Sequence, residues 1–226
     1  MWQLPLQSLK RQYFLGSRQL VHVPRRHVDA FFVGLDDPFS MKSELNEDSY
    51  VCIVDDKNNV LGKADRVVMR TFNLPHRATY IVIKNSRFGR RDCFTTACTV
   101  SGKYYVQRRT MSKDYCPGML DPVSGGVVQY GESMDVSATR EAEEEMGVKN
   151  TRLRYLTSFY YEDKYTRVWG GLFDCTFDGP LVLQEDEVDE VLIMTADEIL
   201  KRRSEFTPDG IAAFEKYLKC TETRQE

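Results

Sequence analysis

The chain has 226 residues, 42% of them hydrophobic, and carries 31 Lys and Arg against 34 Asp and Glu. That length supports one full hydrophobic core and an appendage. Five basic residues (Lys10, Arg11, Arg18, Arg25, Arg26) precede the first acid, Asp29, which leaves 26 basic against 34 acidic residues from there on. Such an acidic body argues against a general nucleic-acid binder, which needs a basic surface.

Residues 1–45 read as a basic leader followed by a linker. Arg mixed with Leu, Phe, Val and Trp, without acids, suits a mitochondrial or other organellar transit peptide, and a basic tail with no address is the alternative. The six cysteines match no zinc ribbon and no Cys-x-x-Cys motif, so they are expected to be reduced thiols of an intracellular protein. No run of about 18 apolar residues occurs, and no membrane span is expected.

A globular pattern begins near position 46 and runs to about 220, with 221–226 as a tail. Tyr50–Val54 and Val60–Ala64 read as a hairpin around a polar turn. Ala78–Lys84 and Lys103–Gln107 are strands rich in β-branched and aromatic side chains. Between them, Asn85–Ser101 is longer than a hairpin needs and reads as an insertion. Gly125–Gln129 is a Gly-led strand. Ser133 to Met146 is the clearest helix, with Ser133 as N-cap, Gly147 beyond its end and Ala138, Ala142 and Met146 four apart as a packing stripe. Strands are expected at Arg154–Tyr161, Arg167–Thr176 and Glu190–Met194. Two short helices follow, Asp197–Arg203 and one opened by Thr207 and Pro208. Strands interspersed with helices imply an α/β or α+β domain.

The helix carries Glu141, Glu143, Glu144 and Glu145, and positions i, i+3 and i+4 put Glu141, Glu144 and Glu145 on one face. A solvated acidic surface is one reading of such a face. The other is a metal site, and carboxylates without histidine favour Mg²⁺ or Mn²⁺. A glycine ahead of the helix can offer a carbonyl ligand and a close approach. Arg140 can hold a carboxylate by paired hydrogen bonds.

Gly126, five residues, Glu132, seven residues, then Arg140-Glu141-Ala142-Glu143-Glu144-Glu145-Met146-Gly147-Val148 resembles the Nudix signature at every fixed position. The resemblance implies an α/β/α sandwich around a mixed sheet, with Glu141, Glu144 and Glu145 as metal ligands and the Gly126 carbonyl as a supplement. It casts Arg140 as the residue orienting Glu141 and Glu132 as one that orders the loop. The general base is either Glu144 or a later glutamate, with Glu185, Glu187 and Glu190 as candidates. The implied reaction is metal-assisted attack of water on a small-molecule diphosphate. Arg77, Arg109, Glu162 and Trp169 are the candidate substrate contacts. For Trp169, core packing is the competing role, and a homodimer is left open.

Further strings, His76-Arg77-Ala78-Thr79, Lys113 to Asp121, Arg167-Val168-Trp169-Gly170 and Glu205-Phe206-Thr207-Pro208 among them, resemble the isopentenyl-diphosphate-isomerase-like branch of that superfamily. Isomerisation would need a cysteine after the Pro-Gly segment, a histidine-rich metal site and a glutamate pair. The cysteine slot falls on Gly125 and a histidine slot on Val127, and the glutamate pair falls near Tyr165 and Arg167. Hydrolysis is therefore the expected activity, with isomerisation and a non-catalytic binding protein as alternatives.

Overall fold

A computed structural model describes residues 11–15, 19–23, 50–87 and 103–222. Strands β1 (Arg11–Leu15) and β2 (Gln19–Val23) pair antiparallel within the expected leader. The remainder of the leader and linker, the region 88–102 of the insertion and the last four residues lie outside the described residues.

The main sheet is mixed and has eight strands. β3 (Tyr50–Val54) and β4 (Val60–Asp65) form the expected hairpin, closed by a turn in which Asn58 takes φ 65° and the Asp55 side chain accepts the Asn59 N–H at 2.7 Å. β5 (His76–Asn85) is the spine of the sheet. It runs parallel to β9 (Arg167–Thr176) and antiparallel at its end to β6 (Lys103–Arg109). β8 (Arg154–Glu162) flanks β9, β10 (Val188–Thr195) flanks β6, and the short β7 (Leu120–Asp121) pairs with β6.

Gly125–Gln129, expected as a strand, makes only isolated bridges. Ser124 meets Ile81, Val127 meets Ala78 and Gln129 meets Val51, so the segment wedges between β5 and β3. Gly125 at φ 136° breaks the regular extension that a full ladder requires.

Helix α1 (Arg66–Thr71) was not legible in the sequence: six residues cover under two turns, and Val67-Val68-Met69 has no helical period. The Asp65 carboxylate starts it by accepting the Val67 N–H at 2.7 Å. Helix α2 (Met134–Met146) begins where Ser133 caps the Val136 N–H. It ends at Gly147, φ 68°, an αL cap where the Gly147 N–H bonds the Glu143 carbonyl and the Val148 N–H bonds that of Ala142. Helix α3 (Ala196–Lys201) opens with a capping box between Thr195 and Glu198. Helix α4 (Pro208–Glu222) has 15 residues and is no short element.

The two sheet faces carry separate cores. Ile81, Ile83 and Phe173 meet Ala138, Ala142 and Met146 of α2 on one side. Tyr80, Val82, Val106 and Leu172 meet Ile211, Phe214 and Tyr217 of α4 on the other. The layers are those of an α/β/α sandwich. The packing stripe of α2 leaves its acids at the edge of the sheet, beside the wedge. Among the described residues no helix is long and apolar enough to cross a membrane.

Candidate active site

A cavity of about 310 Å³ opens where the wedge, the acidic face of α2 and the first turns of α1 and α4 meet. Glu141, Glu144, Glu145, Arg140 and Gly126 line one side of it, and Glu187 lies in the same wall.

The three helix acids occupy different environments. Glu145 is 1% exposed and accepts the Ser124 hydroxyl at 2.6 Å and the Gly125 N–H at 3.0 Å. Glu141 packs against Gly126, where an added Cβ would lie 2.7 Å from its carboxylate. Burial, and then the Glu145 charge, pushes the Glu141 carboxyl up to about 7, against the pull of Arg140. Glu144 is half exposed.

Arg140 ties Glu141 and Glu144 to Glu132. Its Nε and Nη2 donate to the two Glu132 oxygens at 2.9 and 3.0 Å, and its Nη1 reaches Glu141 at 2.9 Å and Glu144 at 3.0 Å. Burial would raise the Glu132 carboxyl, but the fork holds it below its ordinary range. Lysine has one point charge and cannot make this fork. Arg140→Lys is therefore expected to lower kcat/KM about 100-fold, with about 1–2 kcal/mol lost in urea denaturation. An activity within threefold of the parent would show that the fork does not position the acids.

Beside these acids, Lys113 bonds Glu187 and sits 3.5 Å from Glu145. Burial would raise the Glu187 carboxyl, and the Lys113 ammonium brings it below its ordinary range. The other two later glutamates are elsewhere. Glu190 pairs with Arg108 at 2.6 Å, and neither it nor Glu185 lines the cavity.

Of the four candidate substrate contacts, only Arg109 lines the cavity. It donates to the Tyr115 carbonyl at 3.1 Å and lies 3.6 Å from Asp121. Arg77, Trp169 and Glu162 do not line it, although Arg77 shares its sheet face with Thr79, which does. Arg77 is the register partner of Trp169, on the sheet face opposite His76, Ala78 and Tyr80. The Arg77 guanidinium is held by Asn58 through two bonds of 2.7 Å. Trp169 packs on Tyr160, whose hydroxyl bonds Glu162. The Gly126 carbonyl accepts the Thr79 N–H at 2.9 Å, so one of its lone pairs belongs to the sheet.

Sequence reasoning assigned no role to several lining residues: Arg66, Arg70, Tyr80, Tyr115, Asp121 and Asp209. Arg66 donates to both oxygens of Asp114, at 3.0 and 3.3 Å, and Arg70 lies 3.6 Å from it. Burial would raise the Asp114 carboxyl, but these arginines bring it to about 2. Tyr115 and Asp121 lay inside a string already singled out, and the two α1 arginines had no signal at all. His76 is buried, and burial with the nearby Arg70 charge takes its ring down to about 3. The neutral ring donates from Nδ1 to the Leu74 carbonyl at 2.9 Å, which leaves Nε2 an acceptor, unsuited to a phosphate oxygen.

An α/β/α sandwich whose capped helix presents a row of acids to a compact cavity, with cations facing them, is the framework of an enzyme working on an anionic small molecule. Comparison with known proteins identifies the family. The NUDIX domain profile matches residues 91–214. The uncharacterised Nudix hydrolase YfcD of Escherichia coli strain K12 is 46% identical over 175 residues, covering 77% of this chain and 89% of its own length. An uncharacterised Nudix hydrolase of Pseudomonas aeruginosa is 34% identical over 167 residues, 73% of this chain and 90% of that protein. Among solved structures, DR0079 from Deinococcus radiodurans superposes with a TM-score of 0.55 at 22% identity, over 69% of this chain and 88% of that one. A MutT protein from Methanosarcina mazei does so at 0.50 and 21%, over 64% and 94%. The chain belongs to the Nudix family, and it is a hydrolase.

Proposed function

We propose that this hydrolase cleaves a diphosphate bond in a small molecule, with Mg²⁺ or Mn²⁺ held by Glu141, Glu144 and Glu145. The observation that carries the reading is the meeting of these acids, Arg140, Glu187 and Lys113 around one cavity. Among the described residues no three potential ligands already converge on one point. Glu141 and Glu144 turn towards Arg140, and the half-exposed Glu144 is free to swing. The donor set is oxygen only, which suits a hard cation. The Lys113 ammonium between Glu145 and Glu187 marks the place as one that accommodates positive charge. Gly126 serves chiefly as the bare surface that seats Glu141, with its carbonyl a secondary ligand.

A bound cation would neutralise phosphate oxygens and acidify a water. Glu187 is the group we assign to accept that water's proton. It lines the cavity beside Glu145 of α2, and Lys113 keeps it ionised at neutral pH. Arg140 fixes Glu141 and Glu144, and Arg109, Arg66 and Arg70 supply positive charge for the rest of the diphosphate. The likeness to the isopentenyl-diphosphate-isomerase-like branch stays part of this reading as a statement of ancestry, without its chemistry.

A Mg²⁺ and Mn²⁺ screen against a diphosphate panel tests it. Hydrolysis should depend on the metal, and Glu187→Gln should lower kcat about 100-fold or more, as general-base removal does. Glu190→Gln, on a residue paired with Arg108 outside the cavity, should keep kcat within about twofold. Equal losses in both variants would remove Glu187 as the base. No hydrolysis of any compound, with no metal binding by calorimetry, would favour a binding protein.

A further inference from the structure

The cavity has a second polar wall that the hydrolytic reading leaves unused. It is formed where β7, the loop before it and the first turn of α4 meet, and its members are Asp121, Asp209, Tyr115 and Tyr80. Asp121 is 8% exposed. Its Oδ1 accepts the Val123 N–H at 3.3 Å, and among the described residues its Oδ2 has only Arg109, 3.6 Å away. Tyr80 is 5% exposed and donates to Asp209 Oδ2 at 2.8 Å. Two buried polar atoms of this wall, the Tyr115 hydroxyl and Asp209 Oδ1, lie near each other without a well-formed hydrogen bond, and Thr207 Oγ1 behind the wall has none either. Thr207 is 0% exposed. Its Oγ1 and Asp121 Oδ1 would lie 2.2 and 2.4 Å from a Cβ on Gly210, so the bare glycine is what lets the group assemble against α4.

Leaving such atoms unpaired is costly, so a cavity wall that holds two of them beside the Asp121 carboxylate is built for a ligand that pairs them. A hydrocarbon chain placed against this wall would leave all of them unpaired. Carboxylate oxygens accept, and a tyrosine hydroxyl can turn either way. The complementary ligand group is therefore rich in donors.

We infer that this wall is a specificity subsite for a group bearing hydroxyl or amino donors, joined to the diphosphate that the signature acids process, and that it rejects an isoprenoid tail. Burial above all, with Asp209 and Glu145 adding to it against Arg109, pushes the Asp121 carboxyl up to about 8. The inference rests on the proposed diphosphate chemistry for the placement of the ligand, and binding and turnover are measured apart for that reason.

The test uses the full chain with Mg²⁺ and three probes that share one diphosphate end: ribose 5-diphosphate, 2-aminoethyl diphosphate and dimethylallyl diphosphate. Calorimetry reads binding and phosphate release reads hydrolysis. Ribose 5-diphosphate, 2-aminoethyl diphosphate or both should bind about 10- to 100-fold more tightly than dimethylallyl diphosphate, the range for hydrogen bonds to charged groups. The better of the first two probes tells a hydroxyl from an amine. Asp209→Asn and Tyr115→Phe should shrink that preference towards one, a ratio that a general loss of stability would not move. Preferential binding without hydrolysis would keep the subsite and remove the hydrolytic reading. Hydrolysis of all three alike would keep hydrolysis and overturn the subsite. A preference that survives both substitutions, or tighter binding of dimethylallyl diphosphate, also overturns it.

Discussion

Glu144→Gln is expected to cut kcat/KM about 1,000-fold while Tm moves by no more than about 2 °C, and Glu145→Gln is expected to cut activity as deeply and Tm by roughly 5–10 °C. The two residues are neighbours in one motif and share a helix face, yet their surroundings separate function from stability. Glu144 is half exposed, and its one ion pair is an i, i+4 contact with Arg140 at 3.0 Å. Pairs of that kind are worth about 0.3–0.5 kcal/mol. Glu145 is buried, and it accepts from Ser124 and Gly125, with the Gln107 amide at 3.4 Å. An amide in its place turns a donor towards donors and takes one of the two negative partners from Lys113. Breaking such a buried network costs about 2–4 kcal/mol. Steady-state rates on the best diphosphate of the panel and thermal melts of the same samples check both. A Glu144→Gln enzyme within tenfold of the parent would remove Glu144 from the machinery. A Glu145→Gln protein melting with the parent would mean the buried bonds contribute little.

What the sequence disclosed and what it hid follow one rule. Patterns carried by local spacing were legible. The cap at Ser133, the αL close at Gly147 and the stripe of Ala138, Ala142 and Met146 placed α2 almost to the residue. Runs of β-branched and aromatic side chains placed β5 and β6. Placements set by long-range partners were not. Arg77 and Arg109 look alike in the sequence, both arginines on strands, and only their distant partners put one at Asn58 and the other in the cavity. Glu185, Glu187 and Glu190 form one acidic run, and the turn made by the Glu187 and Val188 N–H groups to the Gln184 carbonyl aims only Glu187 inwards. The polar wall of Asp121 and Asp209 joins residues 88 apart, a proximity with no local signature. Helix α1 was missed for a different reason, since six residues with β-branched neighbours give no helical period.

Gly125→Cys should lose about 4 kcal/mol of stability or more and gain no isomerase activity. This position is where the isomerase resemblance calls for a cysteine, so the substitution restores the missing thiol in name. The backbone forbids it. Gly125 has φ 136°, and a Cβ there would stand 2.1 Å from the Thr79 carbonyl oxygen, a backbone atom of the central strand that cannot move aside. The same glycine gives its N–H to Glu145, and its neighbour Gly126 seats the Glu141 carboxylate. Pushing the wedge away from β5 to admit a side chain would therefore also unseat Glu141 and Glu145. Gly131→Ala is the control. Gly131 also has a positive φ, 88°, but a Cβ there meets nothing within 4 Å, so only the conformational cost of about 1–2 kcal/mol applies. Urea denaturation of both variants measures the difference, and incubation with isopentenyl diphosphate tests for the dimethylallyl isomer. A Gly125→Cys protein as stable as the Gly131→Ala protein would show that the wedge yields. Conversion of isopentenyl diphosphate by it would show that this scaffold retains the isomerase geometry. The expected result places the divergence of the two chemistries in the backbone, since a chain that threads Gly125 this closely past Thr79 has room for buried carboxylates and none for a thiol.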